Sequence, residues 1–497
     1  MQAVAEAVRA RSRTFWIVAG LTVLGAALRF ATLGLQSYHH DEVVTASRVL
    51  RVGFGHAMDA VGFSESAPPL YYALAWVWTQ VAGTGPVGLR SLSALAGVAT
   101  IPVAFLIATE LRGRSAGLVA AALVAVNPML LWYSQEARAY SLLVLFCALS
   151  LLFCVRAQRR GARRDFTLWG VFSALALCTH YFAVFTVLAE AIVLLRRRGR
   201  ESLPGVWIVA GAGLVLAPLA YHQMSLGHAE WIGDFGLGHR LWETAATFVT
   251  GETADIIGRP ERPGLAIVPL ALALAGLALL FRADREERRA AAIPLGVGLA
   301  AVAVPLALAL APSGTDFLLA RNVIPALVPL LIAVAIGVTL PAARQLGPVI
   351  AAALIAYSLG FCVWASVTPG LQRPDWNAVA DRLGEPAEPR ATVTWTLGEA
   401  PLRYYLSTGA FQVKAGEHYE WMVGEVDFVS DGMVPRPPRG LLGPGFREVA
   451  HEDTGRLFIR RYSRPGPGLA PLRLGKIKRA QLNFRTNGVL LDGVGPG

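Results

Sequence analysis

Two adjacent carboxylates stand directly behind the first long apolar stretch of the chain, in the sequence His39-His40-Asp41-Glu42. Ionisable groups at a membrane boundary are costly to place there without a function, so these residues are candidates for proton transfer. The alternative is a solvated loop in which Asp41 caps the following helix. The group lacks the HExxH spacing of a zinc protease, so a zinc site is not predicted here.

A second group lies in the segment from Asn127 to Tyr140. Pro128 is expected to end or bend the preceding helix, which leaves Glu136, Arg138 and Tyr140 at the mouth of the next one. An arginine at such an interface can bind a phosphate in bidentate fashion. The alternative is an arginine that snorkels to the interface and pairs with Glu136.

Two shorter segments add cationic and polar side chains, Thr179-His180-Tyr181-Phe182 and Arg321-Asn322. A lone histidine in an apolar run is more often a packing residue, and only its placement on the same membrane face as Asp41 favours a role for His180. Together these groups suit an amphiphile with an anionic head. The carboxylate could accept a proton from a hydroxyl while the cations hold a leaving phosphate.

The composition predicts that lipid is the main solvent of this chain. Of its 497 residues, 54% are hydrophobic and 16% are charged, against about 25% charged in soluble proteins. The net charge of +11 comes from arginines clustered between apolar runs, a pattern typical of cytoplasmic loops rather than of nucleic-acid binding. The four cysteines lack metal-ligand spacing, so neither a disulfide nor a structural zinc is predicted.

Apolar runs that approach the roughly 20 residues needed to cross hydrocarbon predict about eleven transmembrane helices. The first is expected to remain uncleaved, because no small-x-small cleavage site follows it closely. Glu190, near a basic cluster, is interpreted as a snorkelling charge. The predicted spans are 15–35, 88–110, 116–133, 139–155, 166–179, 180–196, 204–222, 264–282, 291–311, 322–340 and 346–366.

The basic loops all fall on one side of the membrane if the stretch Leu70–Val81 does not cross. That stretch is about a dozen residues long, a length typical of an interfacial or re-entrant helix. The alternative, a crossing, would place Arg112 and Arg114 outside. We therefore expect a cytoplasmic N-terminus, with Asp41 and the other candidate residues on the opposite face.

The C-terminal region has the composition of a soluble domain. We expect a transmembrane domain over 1–366, with the outer loop 36–69 carrying Asp41-Glu42, and a small extracytoplasmic α/β domain over 367–464. The Gly/Pro-rich tail 465–497 has a composition compatible with disorder.

On these motifs the chain resembles the GT-C superfamily of membrane glycosyltransferases, and most closely glycosyltransferase family 39. That family includes protein O-mannosyltransferases and the aminoarabinose transferase of lipid A. The resemblance extends in order over residues 1 to about 380. It rests on Asp41-Glu42, Pro68-Pro69-Leu70-Tyr71-Tyr72, the run from Pro128 to Tyr140, Thr179-His180-Tyr181-Phe182, Arg321-Asn322-Val323-Ile324-Pro325 and Asp375-Trp376.

The resemblance implies an all-α polytopic GT-C fold and an inverting transfer of a hexosyl or pentosyl group from a polyprenyl-phosphate sugar to an acceptor hydroxyl. Asp41 would activate the acceptor, and Glu42 would orient it or hold the donor. It places the lipid phosphate among Arg138, His180 and Arg321. No cofactor or obligatory metal is implied. The remaining pocket residues would be His40, Glu65, Glu136, Tyr140, Tyr181 and Asn322.

One position departs from the family pattern. A charged residue or histidine often precedes the Pro-Pro-Leu motif, and here Ala67 stands there, with Glu65 two places earlier. Glu65 is therefore a candidate substitute on the acceptor side of the site, where the acceptor would be a glycan, a lipid or a protein.

Two other classes of function remain open. A transporter or flippase of lipid-linked sugars would need charged groups along a path through the bilayer centre, whereas here they gather at one face. A membrane scaffold would leave the grouped acids and cations unexplained. The richness in arginine and alanine fits a GC-rich bacterial genome, so a multi-pass protein of the bacterial inner (plasma) membrane that acts in the cell envelope is expected.

Overall fold

The computed structural model contains two compact units. The helical unit comprises Met1–Leu33 and Val49–Ala365, and the sheet unit comprises Gly34–Arg48 and Ser366–Gly497. The structure describes residues 2–50, 53–227, 232–233, 235–253, 264–311, 316–406, 411–414, 420–431, 437, 441–466, 468–473 and 487–492.

The chain is mostly helical, and its described part contains eighteen α-helices. In chain order they are α1 Gln2–Phe30, α2 His40–Val44, α3 Phe54–Ser64, α4 Leu70–Ala82, α5 Pro86–Arg112, α6 Arg114–Val126, α7 Pro128–Ser134, α8 Tyr140–Arg160, α9 Arg163–Thr179, α10 Ala183–Arg198, α11 Leu203–Ser225, α12 Leu237–Thr250, α13 Gly264–Ala278, α14 Arg285–Leu310, α15 Leu327–Val338, α16 Gly347–Val367, α17 Trp376–Leu383 and α18 Thr396–Tyr405.

Each predicted span coincides with a helix or a helical pair of the helical unit. Within the described residues, eight helical segments are long and apolar enough to cross a membrane, or up to nine if the bent pair α6–α7 forms one span. One of the eight, Ala183–Ser225, contains both α10 and α11. The 13-residue helix α4 is about 20 Å long, shorter than the hydrocarbon core, which fits its predicted interfacial or re-entrant character.

The break between α6 and α7 is a bend of 55° caused by Pro128, which has no N–H to donate to the carbonyl of Val124. The fully buried guanidinium of Arg29 supplies donors instead. Its Nη2 donates to Val124 O at 3.3 Å and its Nη1 to Ala125 O at 3.0 Å. Nε of the same side chain donates to Ser134 Oγ at 3.1 Å, so Arg29 ties α1 to both sides of the break.

A small residue allows α5 to approach this arginine. A Cβ atom on Gly97 would lie 2.1 Å from Ser134 Oγ and 2.9 Å from Arg29 Nε. Both distances are shorter than side-chain atoms tolerate, so the glycine is required for the packing of α5 against α1 and α7.

Glu190 differs from its predicted role as a snorkelling charge. Its side chain is fully buried in the helical unit and accepts hydrogen bonds from Trp169 Nε1 at 2.8 Å and from Ser150 Oγ. Ser150 also bonds Ser173 at 2.7 Å. The carboxyl group therefore connects α8, α9 and α10 from within the bundle, because a buried acid is retained only where donors surround it.

The sheet unit has a six-stranded sheet and a separate two-stranded one. Its strands are β1 Arg390–Trp395, β2 Phe411–Lys414, β3 Glu420–Val423, β4 Glu425–Asp431, β5 Arg447–Asp453, β6 Leu457–Ser463, β7 Ala470–Arg473 and β8 Asn487–Asp492. The sheet of six has the order β2-β8-β1-β4-β6-β5, and β3 pairs with β7. β1 and β4 are parallel, with α18 between them in the chain, whereas the other pairs are antiparallel.

Two features of the predicted domain organisation need correction. The tail 465–497 contains strands β7 and β8, and β8 lies inside the large sheet between β1 and β2, where it completes backbone pairing on both sides. Residues 467, 474–486 and 493–497 of that tail lie outside the described residues. In addition, the segment Gly34–Arg48, predicted as a loop of the transmembrane domain, folds with the sheet unit.

We predict that Arg29→Met destabilises the protein by about 2–4 kcal/mol, because it leaves the carbonyls of Val124 and Ala125 without donors in an apolar interior. The measurement is thermal unfolding in detergent. Arg13→Met, at an exposed position of the same helix, is the matched control and should unfold like the wild type. Equal stability of the two variants would contradict the role given to Arg29.

Candidate functional site

The segment that follows α7 is fixed by the end of α1. Gln135 Nε2 donates to the carbonyls of Leu28 at 3.3 Å and Arg29 at 3.0 Å, and to Thr32 Oγ1 at 2.6 Å. Those carbonyls belong to the last turn of α1, which has no further intrahelical donors. Arg29 serves the carbonyls before α7, and Gln135 in turn serves those of α1. This reciprocal arrangement sets the path of residues 135–139.

Arg138 and Glu65 form a nearly buried ion pair within the helical unit. Arg138 Nη1 lies 2.7 Å from Glu65 Oε2, and the same oxygen accepts from Tyr72 Oη at 2.7 Å. The side chains of Arg138 and Glu65 are 15% and 3% exposed. Glu65, two places before Ala67, thus pairs with the arginine of the Pro128–Tyr140 run. Glu136, two residues before Arg138, is also buried.

The second carboxylate oxygen of Glu65, Oε1, is buried and has no hydrogen-bond partner in the part of the chain that the structure describes. A buried acceptor without a donor is destabilising, and such atoms are commonly found where a ligand or water binds. Glu65 therefore has one oxygen that holds Arg138 and one that could accept a hydrogen bond from a bound hydroxyl or amine.

His180 ends α9 and lies among aromatic rings. Its ring centroid is 5.6 Å from that of Tyr140, which in turn is 4.7 Å from that of Tyr133. Burial and then the positive charges of Arg138 and Arg321 lower the pKa of His180 to about 3. The imidazole is therefore neutral near pH 7. It is not the positively charged group that the sequence analysis expected beside the lipid phosphate.

The tautomer of His180 follows from its local hydrogen bond. The backbone N–H of Phe182 donates to Nδ1 at 3.3 Å, so Nδ1 is an acceptor and Nε2 carries the proton. His180 can thus donate one neutral hydrogen bond. The charges of Arg138 and Arg321 both lower the pKa of His180, so both guanidinium groups are close enough to act on this residue.

Arg321 lies on a 3-10 helix, Ala320–Ala326, that leads into α15. Its neighbour Asn322 is buried and donates from Nδ2 to the carbonyl of Phe317 at 2.9 Å, which shapes the approach to this helix. The preceding turn is held by Arg240, whose Nη1 lies 2.5 Å from Asp316 Oδ1. Arg321 is consequently presented from an ordered helix end.

Tyr181 makes a contact that the sequence did not suggest. Its hydroxyl donates to Gln223 Oε1 at 2.8 Å, and Gln223 Nε2 donates to the carbonyls of Val61 at 2.9 Å and Ala67 at 3.3 Å. Gln223 therefore braces the chain on both sides of Glu65. Sequence reasoning missed Gln223, because a single polar residue at the end of an apolar helix carries no spacing signal.

Glu252 is a second residue that sequence reasoning missed. Tyr133 donates its hydroxyl hydrogen to the carboxylate of Glu252, which lies on the short 3-10 helix Gly251–Thr253. Tyr133 is one of the matched motif residues, so Glu252 adds a further acid to the aromatic group around Tyr140 and His180.

The carboxylates Asp41 and Glu42 lie in the sheet unit, in the first turn of α2. Glu42 is fully buried, and its Oε2 accepts from the backbone N–H of His39 at 3.2 Å and lies 3.3 Å from His39 Nδ1. His39 occupies the N-cap position and His40 is the first helical residue. Asp41 is therefore not the N-cap residue, and it is half-buried.

The predicted site residues fall into two sets. Within the helical unit, contacts and charges connect Glu65, Arg138, Tyr140, His180 and Arg321. The second set, His40, Asp41 and Glu42, shares α2 of the sheet unit.

A metal site is not evident in the part of the chain that the structure describes, where no three His, Cys, Asp or Glu side chains are grouped so as to hold an ion. Independence from a metal stays a prediction.

Comparison with known proteins gives one family match and several structural ones. A family model described as dolichyl-phosphate-mannose-protein mannosyltransferase matches residues 66–223, which include Arg138 and His180. No curated protein matches the chain.

Solved structures of one protein, ArnT, share the fold over most of the chain. The crystal structure of ArnT from Cupriavidus metallidurans in the apo state has a TM-score of 0.52 and 15% identity, and it covers 90% of this chain and 98% of that one. The structure of the same protein bound to undecaprenyl phosphate has a TM-score of 0.50 and 14% sequence identity. It also covers 90% of this chain and 98% of that one. The apo oligosaccharyltransferase of Archaeoglobus fulgidus has a TM-score of 0.49 and 13% sequence identity, and it covers 79% of this chain and 60% of that one. The chain has a polytopic membrane fold of the GT-C type.

We predict that the lowered pKa of His180 makes stability depend on pH. As the pH falls below about 6.5, the unfolded state gains a proton on this residue that the folded state does not bind until about pH 3. Between pH 7 and pH 5 this should cost about 2 kcal/mol of unfolding free energy. The measurement is thermal unfolding in detergent at both pH values.

His180→Gln should lose this part of the pH dependence. His56→Gln, at an exposed position of α3, should keep the wild-type dependence. The same pH dependence in His180→Gln and the wild type would contradict the assignment.

Proposed function

We propose that this protein is an inverting membrane glycosyltransferase that moves a sugar from a polyprenyl-phosphate donor to an acceptor hydroxyl. The observation that carries the proposal is the nearly buried Arg138, whose charge acts together with that of Arg321 on the buried His180. The mannosyltransferase family match over 66–223 includes two of these three residues. The fold shared with ArnT, a protein with a structure bound to undecaprenyl phosphate, supports a polyprenyl-phosphate donor.

In this proposal the arginines bind the donor phosphate. Arginine presents a planar set of donors that matches phosphate oxygens, and the nearly buried position of Arg138 strengthens such bonds. Glu65 holds Arg138 in place before the phosphate arrives, so little of the binding free energy is spent on ordering that side chain. His180 adds one neutral N–H donor from Nε2.

The chemical step breaks the bond between the anomeric carbon and the phosphate oxygen and forms a bond from the acceptor oxygen to the opposite face of that carbon. The acceptor proton passes to the carboxylate of Asp41, and the electron pair of the broken bond leaves with the polyprenyl phosphate. The arginines stabilise the charge that grows on the departing phosphate, while the base contributes about 10²–10⁴-fold. Atoms and charge balance without a cofactor or metal.

The two carboxylates of α2 support a division of roles. Glu42 is fully buried, and its carboxylate accepts a hydrogen bond from the backbone N–H of His39 at the N-terminus of its own helix. Asp41 is half-buried in the same turn, so it is the carboxylate that an alcohol can approach. We assign the role of base to Asp41 and the role of orienting it to Glu42. Glu136, Tyr140, Tyr181 and Asn322 are proposed to line or support the donor site of the helical unit, and His40 is proposed to support the carboxylates of α2.

The proposed setting is a bacterial inner (plasma) membrane, with a cytoplasmic N-terminus and the sheet unit outside. The donor sugar is a hexose or pentose, and the acceptor is a cell-envelope glycan, a lipid or a protein. Oε1 of Glu65 is proposed to accept a hydrogen bond from a substrate hydroxyl or amine.

We predict that Asp41→Asn lowers transfer by at least about 100-fold, because the amide keeps the shape of the side chain but cannot accept the proton. The measurement is incorporation of label from a radiolabelled polyprenyl-phosphate sugar into acceptors of membrane fractions. Asp381→Asn, an exposed position of the same unit, is the control and should retain full activity. An Asp41→Asn protein as active as this control would refute the base assignment. Movement of the intact lipid-linked sugar, with no label transferred by the wild type, would instead favour a flippase.

We predict that Arg321→Gln raises KM for the donor roughly 10-fold or more, since one charge-assisted set of hydrogen bonds to the phosphate is lost. The same variant should bind polyprenyl phosphate without sugar more weakly by a similar factor, which can be measured directly in detergent. Arg344→Gln, an exposed arginine of a different turn, is the control. Unchanged donor KM and unchanged lipid binding would remove Arg321 from the phosphate site.

A further inference from the structure

The residues just before the proposed base are hydrogen-bonded to the C-terminal part of the sheet unit. Ser37 Oγ donates to the carbonyl of Pro374 at 3.1 Å and accepts from the backbone N–H of Trp376 at 2.8 Å. The backbone N–H of Tyr38 donates to Tyr405 Oη at 2.7 Å. These contacts join positions more than 300 residues apart in sequence.

The ring of Tyr38 is fully buried in the same place. It packs at 5.8 Å against the ring of Tyr404 in an edge arrangement. Tyr404 and Tyr405 are consecutive residues at the end of α18, and their rings lie 5.0 Å apart. One tyrosine therefore holds the backbone of Tyr38 by its hydroxyl, and the other packs against its ring.

The turn that binds Ser37 leads into α17, which is held at both ends. Asp375 caps the N-terminus of that helix by accepting from Ala378 N at 3.1 Å. At the C-terminus, Arg390 donates to the carbonyls of Leu383 at 2.6 Å and Gly384 at 2.9 Å, and Arg461 donates to Leu383 O at 3.1 Å. The turn is thus a fixed part of the α/β fold.

We propose that the Pro374–Trp376 turn and the hydroxyl of Tyr405 form a clamp on Ser37 and Tyr38 that positions the carboxylate of Asp41 for the transfer reaction. This inference rests on the proposed function. It makes Ser37, Tyr405 and the turn positioning elements. It also gives the Asp375-Trp376 motif a structural role. Asp375 caps the helix that follows the turn, and Trp376 donates its backbone N–H to Ser37 Oγ.

The clamp acts on Asp41 through a very short stretch of chain. His39 follows Tyr38 as the N-cap of α2, and Asp41 lies in the first turn of that helix. Glu42 closes this turn by accepting from His39 N, and Thr45 Oγ1 donates to the carbonyl of Asp41 at 3.1 Å. With the entry fixed at Ser37 and Tyr38, the five-residue helix has little freedom to turn its carboxylate away from a reacting alcohol.

The test removes one hydroxyl. Tyr405→Phe keeps the ring of Tyr405 but removes the acceptor of the Tyr38 N–H, so the carboxylate should spend less time in the reactive geometry. We expect kcat to fall roughly 3- to 10-fold with the KM for the donor unchanged. Tyr404→Phe is the matched control, because its ring contact with Tyr38 is preserved and the hydrogen bond from Tyr38 to Tyr405 is kept. Ser37→Ala should act in the same direction as Tyr405→Phe.

A second measurement reports on the clamp without activity. Hydrogen exchange of the peptide that contains Tyr38 should be faster in Tyr405→Phe than in the wild type and in Tyr404→Phe. Faster exchange together with a lower kcat and an unchanged donor KM supports the positioning role. Faster exchange with unchanged kcat, or a higher donor KM with unchanged kcat, overturns it, and so does unchanged exchange.

These results are distinct from failure of the proposed function. A wild-type protein that transfers no sugar from any polyprenyl-phosphate donor would overturn the glycosyltransferase assignment and with it the positioning role. A wild-type protein that transfers sugar, with a Tyr405→Phe variant equal to it in kcat, would overturn the clamp alone.

Discussion

The helical unit depends on one buried guanidinium at the point where a membrane helix is broken. Apolar surroundings tolerate a broken helix only where other groups satisfy its freed carbonyls. Arg29 donates to Val124 O and Ala125 O, and Cys362 Sγ lies 3.3 Å from Val126 O as a third donor. On the far side of the break, the side chain of Asn127 accepts from Leu130 N at 3.0 Å. The bend thus has partners on both sides.

The candidate site is a consequence of that bend. An uninterrupted helix would carry the chain past Ser134 in a straight line, whereas the break turns α7 so that Gln135 meets the last carbonyls of α1. Three residues later the carbonyl of Arg138 accepts from Ser93 Oγ at 3.2 Å, and its guanidinium pairs with Glu65. Backbone and side chain of Arg138 are therefore both fixed before a ligand binds, as electrostatic preorganisation requires.

The sequence predicts most of the helical pattern, because apolar runs of membrane length are strong and local signals. It also identifies Arg138 and Arg321 as a pair of cations of the helical unit. It does not predict that Arg138 is bound to Glu65, 73 residues away, or that Gln223 braces that region, because such contacts depend on packing between helices. His180 illustrates the same limit. Its residue type suggests a cation, but burial and then the charges of Arg138 and Arg321 lower its pKa, so it is neutral near pH 7.

The neighbouring acids Asp41 and Glu42 show how one short helix separates two identical functional groups. Both are carboxylates in the same turn, so composition cannot rank them. The structure ranks them by exposure, since Glu42 is fully buried against the N-terminus of its helix whereas Asp41 is half-buried. This difference in exposure supports the proposed role of Asp41 as the base, because an alcohol can approach a half-buried carboxylate more readily than a fully buried one.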